Sequence, residues 1–287
     1  MAKINFNEIA DPLFWKNFWE QMKKKSILAE TQQNSPENWL SFYEKTSDIW
    51  LEMRGSPWEL GERVFSVLRD NDAVKKGSSV LDLGCGSGLL AIPFARSGLS
   101  VTALDNSRAM IAKLRQIAGK ENLSNIQSEV ISWDLFHPAV KYDLVSAAFF
   151  PEAFSPWGIE KLEGLSEGYC ALIFSPGEDT FPLRKALWKD INRCPLPDRG
   201  YMLPFVFNYL SSLGRKPNCR RLLWEEVLDI PIKTAVRFYS AYFEIFGHKA
   251  PGINERIESI LLTYAQNERI YLHGKTDTAL IWWQSVS

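Results

Sequence analysis

The residues best suited to chemistry lie in a short segment near the middle of the first half of the chain. Asp82 is followed by Gly84, Gly86 and Gly88 in the sequence Asp-Leu-Gly-Cys-Gly-Ser-Gly, and Asp105 comes about 20 residues after the first glycine. Glycines allow positive φ angles and let backbone N–H groups approach a ligand closely. Carboxylates accept hydrogen bonds from ribose hydroxyls or amines. The spacing therefore predicts a site for a ligand that contains a nucleoside.

The glycine loop and the two acids can form one site only if strands and helices bring them together. Val80, Leu81 and Leu83 are typical of a strand buried on both faces, and the apolar residues that begin at Leu89 have helical spacing. Residues 101–105, Val-Thr-Ala-Leu-Asp, predict the next parallel strand. Because parallel strands end at the same edge of a sheet, the glycine loop and both acids are expected to line one crevice.

Over roughly residues 77–176 the chain resembles the cofactor-binding core of the class I S-adenosylmethionine-dependent methyltransferases. Their first motif has the form of residues 82–88, and residues 142–148 resemble their fourth strand. The sequence Ile-Ser-Trp133-Asp134 resembles their adenine motif. The resemblance implies that Asp134 accepts from the exocyclic amine and that Trp133 lies beside the ring.

The same resemblance implies roles for the residues of the glycine loop. Gly84 and Gly86 would line the methionine part of the cofactor, and Asp82 would bind its ammonium directly or through water. Asp105 would accept hydrogen bonds from both ribose hydroxyls. The full set implied to bind S-adenosylmethionine is Asp82, Gly84, Cys85, Gly86, Gly88, Asp105, Asn106, Trp133, Asp134 and Ala148.

Two other functions are compatible with a glycine loop after a strand. A dinucleotide fingerprint has a third glycine at the position of Leu89, and it seldom has an acid at the position of Asp82. Both residues disfavour an NAD(P)-dependent oxidoreductase, which is the first alternative. The second alternative is a regulatory protein that binds S-adenosylmethionine without catalysis.

No motif identifies a catalytic residue, and three side chains are candidates. Tyr43 lies four residues after Trp39 on a predicted helix that could cover the cofactor, Glu152 follows the fourth strand, and His137 follows the adenine motif. Methyl transfer is an in-line displacement that depends chiefly on alignment and exclusion of water. We therefore expect no metal and no obligatory histidine base. The chain lacks an Asn-Pro-Pro-Tyr type signature, which favours a small aromatic or amphipathic acceptor over DNA.

Composition and charge limit the kinds of partner that the protein can bind. The chain has 287 residues with 33 basic and 34 acidic side chains, a net charge of −1, so no broad positive field exists to bind nucleic acid. Its 4 cysteines are too scattered for a metal site and indicate free thiols. No signal peptide or membrane span is predicted. These features predict a cytoplasmic monomer or homodimer whose partner is a small-molecule acceptor, with neither nucleic acid nor membrane as a partner.

Three helices are predicted before the glycine loop, over Asp11–Ala29, Pro36–Met53 and Pro57–Asn71. At the start of each helix a capping residue is followed by proline, which is favoured at the first helical position. Together they predict that residues 1–76 form a helical cap, or lid.

The rest of the chain, residues 77–287, is predicted to form the methyltransferase domain. Its expected fold is α/β, with a Rossmann-like, mostly parallel seven-stranded sheet flanked by helices. A sixth strand is expected to begin at Arg221, and a pair of helices at about residues 231–268 is expected as an insertion before the last strand, Thr278–Trp283.

Overall fold

The computed structural model describes residues 9–176, 182–197 and 200–286, and a single sheet of eight strands lies at the centre of this part of the chain. The strands are β1 (Ser79–Leu83), β2 (Ser100–Asp105), β3 (Ile126–Val130), β4 (Tyr142–Ala148), β5 (Ser166–Phe174), β6 (Asn218–Pro231), β7 (Ala265–Gln266) and β8 (Arg269–Gln284). Their order is β3-β2-β1-β4-β5-β8-β6, with β7 beside β8. β1 to β5 are parallel, and β8 is antiparallel to both of its long neighbours. The predicted Rossmann-like fold class is therefore confirmed.

The predicted number of seven strands is wrong by one. The additional strand, β7, has two residues and forms a hairpin with the start of β8. Asn267 and Glu268 connect them with φ angles of 50° and 60°, as the central residues of a type I′ turn have. Glutamate rarely adopts this conformation, so no local pattern indicated the turn.

The described helices flank the sheet on both faces and extend beyond its carboxyl edge. They are α1 (Pro12–Lys24), α2 (Ile27–Asn34), α3 (Pro36–Thr46), α4 (Glu59–Asp70), α5 (Ala91–Arg96), α6 (Arg108–Lys120), α7 (Pro156–Leu165), α8 (Pro182–Asn192), α9 (Met202–Ser212), α10 (Ile232–Glu244) and α11 (Ile253–Leu262). None of them is long and apolar enough to cross a membrane.

The first predicted helix, Asp11–Ala29, is two helices, α1 and α2. Asp11 caps α1 as expected, since its side chain accepts from the backbone N–H of Leu13. The chain then breaks at Ser26, which is extended and caps α2 through the N–H of Ala29. A second capping residue, here a serine, thus starts a new helix inside an apolar periodic stretch.

The next two predicted helices are shorter than expected. α3 ends at Thr46, where the hydroxyl group donates to the Phe42 carbonyl, and a series of turns follows up to Arg54. α4 begins at Glu59 after Trp58, without the predicted side-chain cap from Ser56. Residues of the turns between α3 and α4 line the candidate site.

β6 and β8 are much longer than predicted. They pair with each other from Asn218↔Trp282 to Pro231↔Arg269, whereas β5 pairs with β8 only from Tyr169↔Gln284 to Phe174↔Ala279. The remainder of β6 and β8 therefore forms a two-stranded ribbon beyond the carboxyl end of β5, and α10 and α11 lie between these two strands in the chain. Ligands bind at this edge in open α/β sheets.

Aromatic residues on the helices before the sheet pack in two different places. On α1, the Trp19 ring stacks on Phe205 of α9 at a centroid distance of 4.7 Å, within the core on one face of the sheet. On α3, Phe42 contacts Phe238 and Tyr242 of α10, with ring centroids 5.3 and 5.9 Å apart. α1 is thus a packing helix, whereas α3 and α10 form a separate aromatic cluster at the carboxyl edge.

Candidate active site

The glycine loop places an open stretch of backbone at the end of β1. Gly84 and Gly86 have φ angles of 63° and 53°. A Cβ atom at position 84 would lie 2.7 Å from the ring of Phe150, so only glycine allows this close approach. At position 86 a Cβ would meet nothing within 4 Å, because the backbone faces open space.

The loop forms one wall of a cavity of about 880 Å³ at the carboxyl edge of the sheet. This volume is near the upper end of the range for small-molecule sites, which is roughly 300–1,000 Å³. The opposite wall comes from α3, the turns after it, the β6–β8 ribbon and α10. The predicted cofactor residues in the wall are Asp82, Gly84, Cys85, Gly86, Asp105, Asn106, Trp133, Asp134 and Ala148.

Asp82 is the most deeply buried acid of the site, with 1% of its surface exposed. Its Oδ1 atom lies 3.5 Å from the hydroxyl group of Ser146, and its Oδ2 atom has no hydrogen-bond partner within the described ranges. Burial, with a smaller contribution from the charge of Asp105, raises the pKa of Asp82 to about 8, although the Ala91 N–H and the Ser146 hydroxyl group act to lower it. The site thus contains a buried carboxyl group that has no positive partner among the described residues.

Asp105 connects the glycine loop with the next helix. Its Oδ2 atom accepts from the N–H of Gly86 at 2.9 Å, and Oδ1 accepts from the N–H of Ser107 at 2.8 Å. Burial raises the pKa of Asp105, while these two N–H groups lower it. The hydroxyl group of Ser107 donates to Glu44 of α3 at 2.8 Å, which joins the helices before the sheet to this end of β2. Each Asp105 oxygen keeps capacity for a further hydrogen bond.

The segment predicted to bind adenine is a 3₁₀ turn, Trp133–Leu135. Trp133 is buried and makes edge contacts with Phe150 and Trp157, at centroid distances of 5.4 and 4.9 Å. Lys161 donates to the Trp133 carbonyl at 2.5 Å, and its Nζ atom lies over both tryptophan rings. Asp134 is exposed at the cavity wall.

Two of the three catalytic candidates lie in the cavity wall. These are Tyr43 and Glu152, and Trp39 lines the wall as well. Glu152 is accessible from the cavity, yet burial by the surrounding protein, followed by the charges of Asp134 and Asp105, raises its pKa to about 7.

His137 and Gly88 lie outside the cavity wall. His137 is exposed to solvent. Gly88 has a φ angle of 100°, and a Cβ there would lie 2.6 Å from Leu114 and 2.8 Å from Ile92. Its role is therefore close packing of the loop on α5 and α6. Its assignment to the cofactor stays a prediction, since Gly88 does not line the cavity as Gly84 and Gly86 do.

Sequence reasoning missed Arg54, which follows the turns after α3. Its guanidinium lies between two rings, 5.7 Å from the centroid of Trp50 and 5.5 Å from that of Phe149. It lines the cavity and makes no side-chain hydrogen bond or ion pair with any described residue. Burial lowers the pKa of Arg54, although Glu226 and Tyr43 oppose this shift. The only sequence signal was one arginine within an aromatic stretch that precedes the glycine loop.

Phe149 carries local backbone strain at the same point. It directly follows β4 and has a φ angle of 53°, which is uncommon for a residue with a bulky side chain. Such strain is concentrated at ligand sites. Within the described ranges, no group of three or more His, Cys, Asp or Glu side chains is arranged to hold a metal ion.

Comparisons with known proteins agree with this geometry. Residues 80–162 match a family described as "Methyltransferase domain". An uncharacterised protein of Haemophilus influenzae is 27% identical over 273 residues, which cover 93% of this chain and 96% of that protein. A ubiquinone biosynthesis O-methyltransferase of Vibrio cholerae is 30% identical over 166 residues, which cover 54% of this chain and 62% of the relative. The chain thus spans less than two thirds of that enzyme.

A solved structure has the same fold. An S-adenosylmethionine-dependent methyltransferase from Thiobacillus denitrificans, in complex with S-adenosyl-L-homocysteine, superposes with a TM-score of 0.51 at 16% identity, over 84% of this chain and 97% of the other. Together with the glycine loop and the sheet order, the family match identifies residues 80–162 as part of a methyltransferase domain with the Rossmann-like fold of the class I methyltransferases. The cofactor of this class is S-adenosylmethionine.

Proposed function

We propose that the protein transfers a methyl group from S-adenosylmethionine to a small, largely apolar acceptor within the cavity. The observation that carries this proposal is that three features lie together at one wall of the cavity. These are the Asp82 carboxylate oxygen that has no partner among the described residues, the backbone-anchored carboxylate of Asp105 and the open backbone at Gly86. An amino acid joined to a nucleoside needs this combination of partners.

The charged ends of the cofactor match charged side chains that have no ion-pair partner within the described ranges. The Asp82 carboxylate is suited to the ammonium of the methionine part, because a buried carboxyl gains most from a cation. The Arg54 guanidinium is suited to the carboxylate, because its donors are available and a planar fork matches a carboxylate. Asp105 would accept from the ribose hydroxyls, and Asp134 and Trp133 would hold the adenine.

The aromatic end of the cavity supports an acceptor with a flat or apolar body. Its wall includes Trp39, Tyr43, Phe238 and Tyr242, from α3 and α10. We propose that residues 1–76 act partly as a cap, with α3 as the helix that covers the site. The monomer or homodimer, and the absence of nucleic acid among the partners, stay predictions.

When bound, S-adenosylmethionine supplies a methyl group on a positively charged sulfur, from which an acceptor atom can take it in line. The protein contributes alignment, which can lower a barrier by roughly 7–11 kcal/mol. Aromatic faces such as those of Trp39 and Tyr43 exclude water and favour a cation by about 0.5–2 kcal/mol. Glu152 can hold a proton released by the acceptor, because its pKa of about 7 matches neutral conditions.

Titration calorimetry tests the proposed function directly. We expect S-adenosylmethionine and S-adenosylhomocysteine to bind more tightly than NAD or NADP, since Asp82 favours an ammonium and Leu89 replaces the third dinucleotide glycine. Tighter binding of NAD would overturn the proposal. If the protein binds S-adenosylmethionine but yields S-adenosylhomocysteine only with another protein of a cell extract, the regulatory alternative is favoured.

The pH dependence of turnover tests Glu152. With an acceptor that must lose a proton, kcat/KM should rise with pH through about 7, because Glu152 becomes able to accept that proton only when it is ionised. Glu152→Gln should lower the rate by about 10²–10⁴-fold and remove this rise. Glu160→Gln, on the exposed side of α7, is the matched control. If Glu152→Gln keeps the wild-type profile, Glu152 is not the base.

A chelator experiment tests the expectation of a metal-free reaction without a histidine base. We expect activity to persist in EDTA and in the triple variant of His137, His248 and His273 to alanine, because alignment and desolvation supply most of the rate. His248 contacts Asn192 at 2.9 Å, and the other two are exposed. Loss of activity with EDTA, restored by an added metal, would refute the metal-free mechanism.

A further inference from the structure

Glu226 of β6 connects three separate parts of the chain beside Arg54. Its side chain is buried, with 9% of its surface exposed, and it lines the cavity. Oε1 accepts from the backbone N–H of Ser56 at 3.1 Å, and Oε2 accepts from the hydroxyl group of Thr276 on β8. One carboxylate thus joins the turn that follows Arg54 to both strands of the ribbon.

The backbone between Arg54 and Ser56 lies directly against β6. A Cβ atom at Gly55 would lie 2.0 Å from the carbonyl oxygen of Val227 and 2.8 Å from Cγ of Glu226. Glycine is therefore required for this contact, which fixes the backbone directly after Arg54 against β6. Glu226 also stabilises the charged form of Arg54 electrostatically.

Apart from this electrostatic effect, few contacts hold the Arg54 side chain in place. It rests between Trp50 and Phe149 and makes no hydrogen bond or ion pair within the described part of the chain. The carboxylate that stabilises its charge, Glu226, already accepts from Ser56 and Thr276. Glu226 can therefore balance the charge of Arg54 while leaving its N–H donors available to a ligand.

We propose that Glu226 is a positioning residue, which holds the turn at Gly55 and Ser56 so that Arg54 meets the α-carboxylate of the cofactor. The proposal rests on the proposed function, because it needs Arg54 to bind that carboxylate. It makes the β6–β8 ribbon, far from the glycine loop in sequence, part of cofactor recognition. A residue that only stabilised the ribbon would have no selective effect on the carboxylate.

Binding of two ligands by titration calorimetry separates these roles. The ligands are S-adenosylmethionine and decarboxylated S-adenosylmethionine, which lacks only the α-carboxylate. The wild-type protein should prefer the first by about 10-fold or more, the factor expected for a charge-assisted hydrogen bond. Glu226→Ala should lose most of this preference, while the Kd for the decarboxylated ligand stays within about twofold of wild type.

Three further variants complete the experiment. Glu226→Gln should retain the preference, because its amide oxygen can accept from Ser56 and its amide nitrogen can donate to Thr276. Glu225→Gln, next in sequence but exposed to solvent, should match the wild type. Gly55→Ala should lose the preference, because a Cβ displaces the turn, and it decides the matter if Glu226→Ala does not fold.

The outcomes distinguish the inference from the proposed function. Absence of S-adenosylmethionine binding by the wild type would remove the proposed function. Equal wild-type affinity for both ligands would remove the role of Arg54, and the role of Glu226 with it. A wild type that discriminates, together with a Glu226→Ala variant that discriminates equally or weakens both ligands by one factor, would overturn only the positioning role.

Discussion

Asp82→Asn should make the ligand-free protein more stable and at the same time a poorer binder of S-adenosylmethionine. The pKa of Asp82 in the folded protein is raised to about 8, whereas in the unfolded chain it lies near 3.9. Between about pH 4 and pH 8 the folded state therefore binds more protons than the unfolded state, and this group makes the free energy of unfolding fall as pH rises. Asparagine removes that dependence.

Thermal denaturation at about pH 5 and about pH 9 measures the first effect. The gain in Tm of Asp82→Asn over wild type should be larger at the higher pH, where wild type carries the buried charge. A gain that is equal at both values, or larger at the lower pH, would contradict the raised pKa.

Calorimetry measures the second effect. The variant should bind S-adenosylmethionine about 10-fold or more weakly, because it loses a charge-assisted partner for the ammonium. Asp143→Asn is the matched control, since this β4 acid is bound to Ser79 at the opposite end of the strand and should leave cofactor affinity unchanged. Unchanged affinity in Asp82→Asn would assign the ammonium to another residue.

Asp105→Ala should weaken S-adenosylmethionine binding by about 1–3 kcal/mol while the protein still folds. The side chain would no longer accept from ribose hydroxyls, and it would also stop holding the N–H groups of Gly86 and Ser107. The loss thus combines a direct contact with looser loop geometry.

A second ligand separates the two contributions to the Asp105 effect. An S-adenosylhomocysteine analogue without ribose hydroxyls reports only the loop geometry, so Asp105→Ala should weaken it less than S-adenosylhomocysteine itself. Equal weakening of both ligands would mean that Asp105 only orders the loop. An unchanged Kd for S-adenosylhomocysteine in a folded variant would move the ribose contact elsewhere.

The covalent spacing of a few residues was enough to predict the fold class and one wall of the cavity. A strand, a tight loop and a helix leave little freedom, so spacing alone assigned Asp82, Gly84 and Gly86 to one sheet edge. The next parallel strand brings Asp105 to the same edge, where its carboxylate accepts from the N–H of Gly86. Local sequence determined these neighbours because short chain segments connect them.

Element boundaries were less well determined. The serine cap at Ser26 divides a predicted helix, and the hairpin at Asn267 and Glu268 adds a strand. The ribbon of β6 and β8 extends well past the strand ends predicted from alternation. In each case a turn or a pairing partner outweighed the local pattern.

Only the tertiary structure decided which aromatic helix and which charges belong to the site. The sequences of α1 and α3 are both aromatic and both begin with proline, yet α1 packs on α9 and α3 lines the cavity. Glu226 accepts from the backbone N–H of Ser56, two residues after Arg54, across 170 positions of the sequence. Contacts of this kind arise where distant elements pack against each other, and no periodicity or spacing within either segment encodes the partner.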